Sequence, residues 1–109
     1  MSEKFGRDQL KRAIDAGEVT VVETLGSEHF EQGHLPGAIH IHFEDITEKA
    51  PELLPDRDAT IVTYCSNVAC SNSELAAAHL GNLGYGSVRR YVEGKEDWQE
   101  AGYALETGA

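Results

Sequence analysis

The sequence has 109 residues, 40% hydrophobic and 26% charged, a composition typical of one globular domain. Nine Lys and Arg residues stand against 19 Asp and Glu residues, which gives a formal charge of −10. Such acidity is typical of a soluble surface or of a high-salt habitat, and it disfavours the approach of small anions. Because it also repels nucleic acids and anionic lipids, we expect no nucleic-acid or membrane partner.

Residues 1–5 lack the apolar core of a signal peptide. No run of about 18 apolar residues, the length that a transmembrane helix needs, occurs in the sequence. We therefore expect a cytoplasmic protein that forms a single domain over residues 1–109.

Helices and strands alternate in the first half of the chain. The predicted elements are a helix at 7–16, a strand at 19–22, a short helix from Ser27 to Phe30, a strand at 39–41 and a short helix at 43–50. Gly17 and Gly33 end the first two helices, Ser27 is the predicted N-cap of the second, and residues 36–37 (Pro-Gly) mark a tight turn.

The alternation continues in the second half. The predicted elements are a strand at 59–64, a helix from Ser71 to Gly84, a strand at 87–92 and a short helix around Trp98 that Gly102 ends. Ser71 and Glu74 have the spacing of a capping box, in which the Glu74 side chain reaches back to the N-cap. The order predicts an α/β domain whose central parallel sheet is flanked by helices on both faces.

The two cysteines, Cys65 and Cys70, lie five positions apart in one short segment. A secreted disulfide framework would separate them widely, whereas paired thiols in one loop of a cytosolic protein indicate catalysis, redox chemistry or metal binding. The alternative is that both are inert small hydrophobic side chains.

Cys65 directly follows a predicted strand, and sites in open parallel sheets form beyond the carboxyl ends of strands. The helix predicted after Ser71 points its N-terminus at the same place. Backbone N–H groups of residues 66–70 and the positive end of the helix dipole stabilise an anion there, and such a field lowers the pKa of a thiol. The pattern predicts a cradle for a reactive sulfur, an arrangement that phosphatases and sulfurtransferases share.

The sequence resembles a rhodanese homology domain over nearly its whole length. The matching segments are G-H-L-P-G-A at 33–38, Tyr-Cys at 64–65, the helix and strand from Ala76 through Gly84-Tyr85 to Val88, Glu-Gly at 93–94, Trp98, and Ala-Gly at 101–102. The resemblance implies a single rhodanese-like α/β domain.

It also implies a persulfide mechanism. The Cys65 thiolate attacks thiosulfate or a persulfide donor, holds the sulfane sulfur as a persulfide, and delivers it to a thiol or cyanide. The implied substrate-binding residues, whose amides stabilise anionic sulfur, are Ser66, Asn67, Val68, Ala69, Cys70 and Ser71. The partners are a small sulfur donor, a thiol acceptor or a persulfide-carrying protein, and we expect no cofactor and no metal.

The sequence departs from the family pattern in ways that remove positive charge. The typical loop reads C-R-x-G-x-R-S, whereas residues 65–71 read C-S-N-V-A-C-S, with Val68 in place of glycine. A strand that commonly ends in D-V-R ends here in Glu-Thr-Leu at 23–25, and Glu93 replaces one glycine of the closing pair. We expect weak thiosulfate activity and a preference for persulfide donors.

Cys70 is a candidate resolving thiol. It would close onto Cys65 as a disulfide, and thereby discharge the persulfide or protect the nucleophile from over-oxidation. The separation of five residues permits this geometry, and packing under the loop as an apolar side chain is the alternative.

Three other functions are compatible with a strand, cysteine, loop and helix in this order: a phosphatase or arsenate reductase, an interaction or redox-sensing module, and a zinc-binding protein. The first needs a loop arginine, which residues 66–71 lack. The second is non-catalytic and stays open as the alternative function. Zinc would involve His40 and His42 together with Cys65 and Cys70, but the spacing lacks a C-x₂-C pair, so packing or hydrogen bonding is expected for the two histidines.

Several further residues receive structural interpretations. Trp98 and Tyr64 are expected in the core, with Tyr64 pointing away from Cys65. His34, for which proton donation near the site is the functional alternative, is expected to bond backbone before the Pro-Gly turn. His29 and His79 are read as solvated or half-buried without a role, and the charged run at 95–97 as a solvated helix face.

Overall fold

Five parallel strands form one central sheet in the computed structural model, which describes residues 3–108. The strands are β1 (Glu3–Lys4), β2 (Thr20–Glu23), β3 (Ile39–His40), β4 (Ile61–Tyr64) and β5 (Val88–Tyr91). They lie in the order β1-β5-β4-β2-β3, and every neighbouring pair is parallel.

Helices cover both faces of this sheet. They are α1 (Arg7–Asp15), α2 (Ser27–Gln32), α3 (Ile46–Leu53), α4 (Asn72–Asn82) and α5 (Gly94–Glu100), with a 3₁₀ turn at Phe43–Asp45 before α3. Leu10 of α1 and Trp98 of α5 belong to one buried cluster, and Ile46 of α3 and Leu80 of α4 belong to the other. The predicted α/β class, with a parallel sheet between two helical layers, is confirmed. Within residues 3–108, no helix is long and apolar enough to cross a membrane.

The central strand β4 is buried at all four of its positions. Its side chains alternate between the two clusters, because Ile61 packs with α3 and α4 while Val62 and Tyr64 pack with α1 and α5. The Thr63 hydroxyl donates to the carbonyl oxygen of Ser73 in α4 over 2.9 Å. The same alternation points Tyr64 away from Cys65, as predicted.

Two predicted helix caps are wrong in their details. The N-cap of α2 is Gly26, and Ser27 is its first residue. Ser71 is the N-cap of α4, but its side chain makes no capping bond, because its backbone is helical (φ −94°, ψ 0°) and not extended as such a bond requires. The capping box is therefore absent, and Glu74 instead pairs with Arg90, Oε2 to Nη1, over 3.6 Å.

The predicted Pro-Gly turn lies between α2 and β3. The Ala38 amide donates to the Leu35 carbonyl oxygen over 3.0 Å, and Gly37 has φ +74°, a value that favours glycine. Glu106 fixes the same turn from the far end of the chain, since its Oε1 accepts from the Gly37 amide over 2.9 Å.

Candidate active site

Cys65 lies at the carboxyl end of β4, between the ends of β2 and β5, and is only 1% exposed. Residues 66–71 form the loop that follows, and α4 begins at Asn72. The strand, cysteine, loop and helix therefore follow one another as predicted, and the loop leads directly into the N-terminus of α4. This end of a helix carries a partial positive charge that favours an anionic sulfur.

Cys65 and Cys70 are joined as a disulfide across the loop. Their Cα atoms are 6.4 Å apart, within the range that disulfides span. Cys70 is partly exposed whereas Cys65 is buried. Sequence reasoning left this bond open, and the structure shows that the loop brings the two sulfurs together.

Asn67 organises the loop. Its Oδ1 accepts from the Ala69 amide over 3.0 Å, and its carbonyl oxygen accepts from the Cys70 amide over 3.1 Å. Its Nδ2 donates to Oε2 of Glu96 in α5 over 2.8 Å. The loop is thereby held in a compact turn that places Cys70 against Cys65.

The loop amides divide into two groups. Those of Ala69 and Cys70 are engaged by Asn67, so in this disulfide form they do not point at a free anion. Among residues 3–108, nothing accepts a hydrogen bond from four other loop amides, those of Ser66, Asn67, Val68 and Ser71. These four are the donors that remain for an anionic sulfur.

The N-terminus of α5 supports the start of the loop. The Lys95 amide donates to the Cys65 carbonyl oxygen over 3.0 Å, and the Glu96 amide donates to the Ser66 carbonyl oxygen over 2.9 Å. Gly94 makes this approach possible, because it has φ +72° and a Cβ at its position would collide with the carbonyl oxygens of Cys65 and Ser66. The resemblance matched Gly94, and the structure shows what its lack of a side chain does.

A buried ion pair lies beside the loop, and sequence reasoning missed it. Glu23 is 0% exposed, and Lys95 Nζ lies 3.1 Å from its Oε1. The Tyr64 hydroxyl donates to Glu23 Oε1 over 2.7 Å and accepts from the Leu35 amide over 3.0 Å. Burial, and next the Glu23 carboxylate, raise the pKa of Tyr64 well above its ordinary value. The cluster joins the ends of β2 and β4 to α5.

The interpretation of residues 95–97 as a solvated face is therefore wrong for two of them. The Lys95 side chain is 13% exposed, and its Nζ also donates to the carbonyl oxygens of His29 over 2.9 Å and Gly33 over 2.6 Å. Asp97 accepts from the Tyr91 hydroxyl over 2.6 Å and from Arg7 Nη1 over 3.0 Å. Short charged runs on a helix of seven residues still reach inward when a buried partner faces them.

Three histidines, His34, His40 and His42, have structural partners. His34 Nδ1 lies 2.8 Å from the Phe30 carbonyl oxygen, as expected for a residue that bonds backbone. His40 Nε2 lies 2.6 Å from the Leu25 carbonyl oxygen, and His42 Nδ1 accepts from the Glu44 amide over 3.3 Å. In the described part of the chain, no three His, Cys, Asp or Glu residues form a group that could hold a metal ion. His29 and His79 are exposed, and Trp98 is fully buried as predicted.

Two depressions lie on the described surface, and Cys65 borders neither of them. One, of about 350 Å³, is bordered by Ser66 and Lys95 and lies between α2 and α5. The other, of about 480 Å³, lies between α4 and β5 and is bordered by Arg90. In the disulfide form, Cys65 is thus shielded from solvent.

Comparison with known proteins identifies the family. A family model described as a rhodanese-like domain matches residues 6–101. The chain belongs to the rhodanese-like domain family. The resemblance read from the sequence is confirmed, and the match includes the turn, the cysteine loop and α5.

Individual relatives of this rhodanese-like domain carry different names. An HTH-type transcriptional regulator of Mycobacterium tuberculosis is 36% identical over 103 residues, which cover 94% of this chain and 44% of that protein. The thiosulfate sulfurtransferase PspE of Escherichia coli is 33% identical over 61 residues, which cover 56% of this chain and 57% of that protein. The chain spans about half the length of these two relatives.

A solved structure supports the fold of the domain. The crystal structure of the BH2092 protein from Bacillus halodurans superposes with a TM-score of 0.89 at 29% identity, over 97% of this chain and 77% of that one.

Proposed function

We propose that this protein is a sulfurtransferase that carries sulfane sulfur as a persulfide on Cys65. The observation that carries the proposal is the position of Cys65, at the carboxyl end of the central strand and before the loop that opens α4, in a rhodanese-like domain. A relative of this domain is named a thiosulfate sulfurtransferase, which supports the same chemistry.

The reaction consists of two displacements at sulfur. The Cys65 thiolate attacks the outer sulfur of a donor R–S–SH, the donor's S–S bond breaks, and R–S⁻ leaves with the electron pair. An acceptor thiolate then attacks the outer sulfur of the Cys65 persulfide and regenerates the Cys65 thiolate. The free amides of the loop and the N-terminus of α4 stabilise the anionic sulfur in both steps.

The charges around the loop favour a persulfide donor over thiosulfate. Residues 66–71 contain no arginine, and Lys95 is held by Glu23 and two carbonyl oxygens. Thiosulfate is a dianion that would meet a chain of net charge −10 and a loop that contains no arginine to bind it. A glutathione persulfide or a protein persulfide presents its reacting sulfur with less charge at the site.

Steady-state rates test the proposal. The protein, reduced beforehand with a dithiol, is assayed with glutathione persulfide and with thiosulfate, using a thiol and cyanide as acceptors. We expect turnover that depends on Cys65, with a higher kcat/KM for the persulfide, and none with Cys65→Ser. Equal turnover by Cys65→Ser would contradict the enzyme proposal, and a clear preference for thiosulfate would contradict only the donor assignment.

The second candidate function is a non-catalytic redox-sensing or interaction module. The Cys65–Cys70 disulfide favours it, because a cysteine in a disulfide cannot act as a nucleophile. The similarity to a transcriptional regulator is consistent with it. The two functions differ in one outcome, since a sensor cycles between thiol and disulfide with oxidants and transfers no sulfur.

The proposed chemistry requires two partners, a sulfur donor that loads Cys65 and then a thiol acceptor that unloads it. A persulfide-carrying protein is the macromolecular form of such a donor. The cytoplasmic location and the single-domain organisation over residues 1–109 stay predictions.

A further inference from the structure

We propose that Cys70 discharges the Cys65 persulfide by itself, releasing hydrosulfide and leaving the Cys65–Cys70 disulfide seen in the structure. The domain would thereby reduce sulfane sulfur to sulfide while its two loop cysteines are oxidised to the disulfide. This inference rests on the proposed persulfide on Cys65.

The loop holds Cys70 where this reaction requires it. The structure joins the two sulfurs directly, and the Cα atoms are 6.4 Å apart. Asn67 keeps the intervening residues in a compact turn through its bonds to Ala69, Cys70 and Glu96. In the persulfide the inner sulfur is still Sγ of Cys65, so Cys70 faces the atom that it must attack.

The step balances in atoms and electrons. The Cys70 thiolate attacks Sγ of Cys65, a new S–S bond joins the two cysteines, and the bond from Sγ of Cys65 to the outer sulfur breaks. The outer sulfur leaves with the electron pair as hydrosulfide, HS⁻, which takes up a proton to give H₂S. The sulfane sulfur is reduced and the two cysteines are oxidised to the disulfide.

An intramolecular thiol has an advantage over external acceptors in this chain. A reaction partner that is already placed by the fold acts at a high effective concentration. A small acceptor thiol such as glutathione must instead first diffuse to the loop from solution. Discharge by Cys70 therefore competes with transfer to a small external thiol.

A dithiol reductant resets the loop. Cys65 is 1% exposed, whereas Cys70 is partly exposed, so an incoming thiolate reaches Sγ of Cys70. Attack there expels the Cys65 thiolate, because the S–S bond between Cys65 and Cys70 breaks. The second thiol of the reductant then displaces Cys70 and leaves as a disulfide, so that both cysteines are free for another cycle.

A single-turnover experiment tests the inference. The full chain and the variants Cys70→Ser, Cys70→Ala and Cys65→Ser are reduced, freed of reductant and mixed with one equivalent of glutathione persulfide. Sulfide release is followed with time, and intact mass reports either an added sulfur atom or the disulfide. The parent protein should release close to one equivalent of sulfide and end as the disulfide. Both Cys70 variants should keep the added sulfur and release at least tenfold less sulfide in the same time.

The outcomes separate this inference from the proposed function. If the parent protein keeps the added sulfur as long as the Cys70 variants do, Cys70 does not discharge the persulfide and the inference is overturned, while the proposed function stands. If the Cys70 variants take up no sulfur on Cys65, the proposed function itself fails. The Cys70→Ala variant guards against a misfolded Cys70→Ser protein, and circular dichroism of each variant verifies that it is folded.

Discussion

Replacing Lys95 with methionine tests the buried ion pair that joins α5 to the ends of β2 and β4. The substitution keeps most of the volume of the side chain but leaves the fully buried Glu23 carboxylate without its cation. Removing one partner of a buried pair costs about 3–5 kcal/mol, because the remaining charge stays desolvated. Since Lys95 retains 13% exposure, we expect the lower end, about 3 kcal/mol.

The size of this effect is large for the protein. A domain of about 100 residues has a total stability of about 5–15 kcal/mol, so Lys95→Met should lower the midpoint of thermal unfolding by roughly 10 °C or more. Urea unfolding followed by circular dichroism measures the change directly. The double variant Glu23→Gln/Lys95→Met should recover to within about 1 kcal/mol of the parent, because glutamine removes the charge and still accepts from Tyr64.

A matched control distinguishes burial from charge. Lys11 pairs with Asp15 over 2.7 Å at the surface of α1, with side chains 36% and 60% exposed. Lys11→Met should change the free energy of unfolding by less than about 0.5 kcal/mol. The reasoning is refuted if Lys95→Met costs no more than this control, or if the double variant is no more stable than the single one.

Three further results follow from the geometry of the site. Gly94→Ala should lower the free energy of unfolding by about 2 kcal/mol or more and slow persulfide loading of Cys65. The control Gly102→Ala should cost only about 1 kcal/mol, because Gly102 also has a positive φ (+82°) but no atom lies within 4 Å of the added Cβ. Equal costs for the two variants would contradict the close approach of Gly94 to the loop. Asn67→Ala loses two side-chain hydrogen bonds that shape the loop, so formation of the Cys65–Cys70 disulfide should slow by about tenfold. Intact-mass spectrometry measures this rate, and an unchanged rate would show that the loop needs no such support. Burial and then Glu23 raise the pKa of Tyr64 above the ordinary value of about 10, so the contribution of the protonated Tyr64 to stability is fully present below pH about 10 and is lost at higher pH as the phenol ionises in the unfolded chain. Urea unfolding at several pH values measures this loss, and Tyr64→Phe should make it smaller. An unaltered dependence of stability on pH would contradict the reasoning.

The parts of the fold that the sequence predicts well depend on local patterns. The apolar β-branched run at 59–64 predicts β4 because a buried parallel strand is recognised from its own residues. The Pro-Gly pair predicts the turn before β3, since proline and glycine restrict the backbone wherever they occur. The same strand pattern predicts that Cys65 follows the end of β4, and the structure confirms it.

The missed features depend on contacts between distant residues. Lys95 and Glu23 are 72 positions apart, so the charged run around Lys95 gives no sign that one of its members is buried. The capping box has the right residue spacing, but the backbone of Ser71 is helical and the expected bond cannot form. Asn67 is an ordinary polar residue in the sequence, and its three hydrogen-bonding roles follow from the loop conformation alone.

Locating the transferred sulfur tests the central claim most directly. The reduced Cys70→Ser variant is mixed with glutathione persulfide, alkylated and digested, and the peptide that contains position 65 is sequenced by mass spectrometry. The account predicts one extra sulfur atom on Cys65, which disappears when a thiol acceptor is added and reappears on that acceptor. A Cys65 that is alkylated without any extra sulfur, under conditions in which the donor is intact, would contradict it.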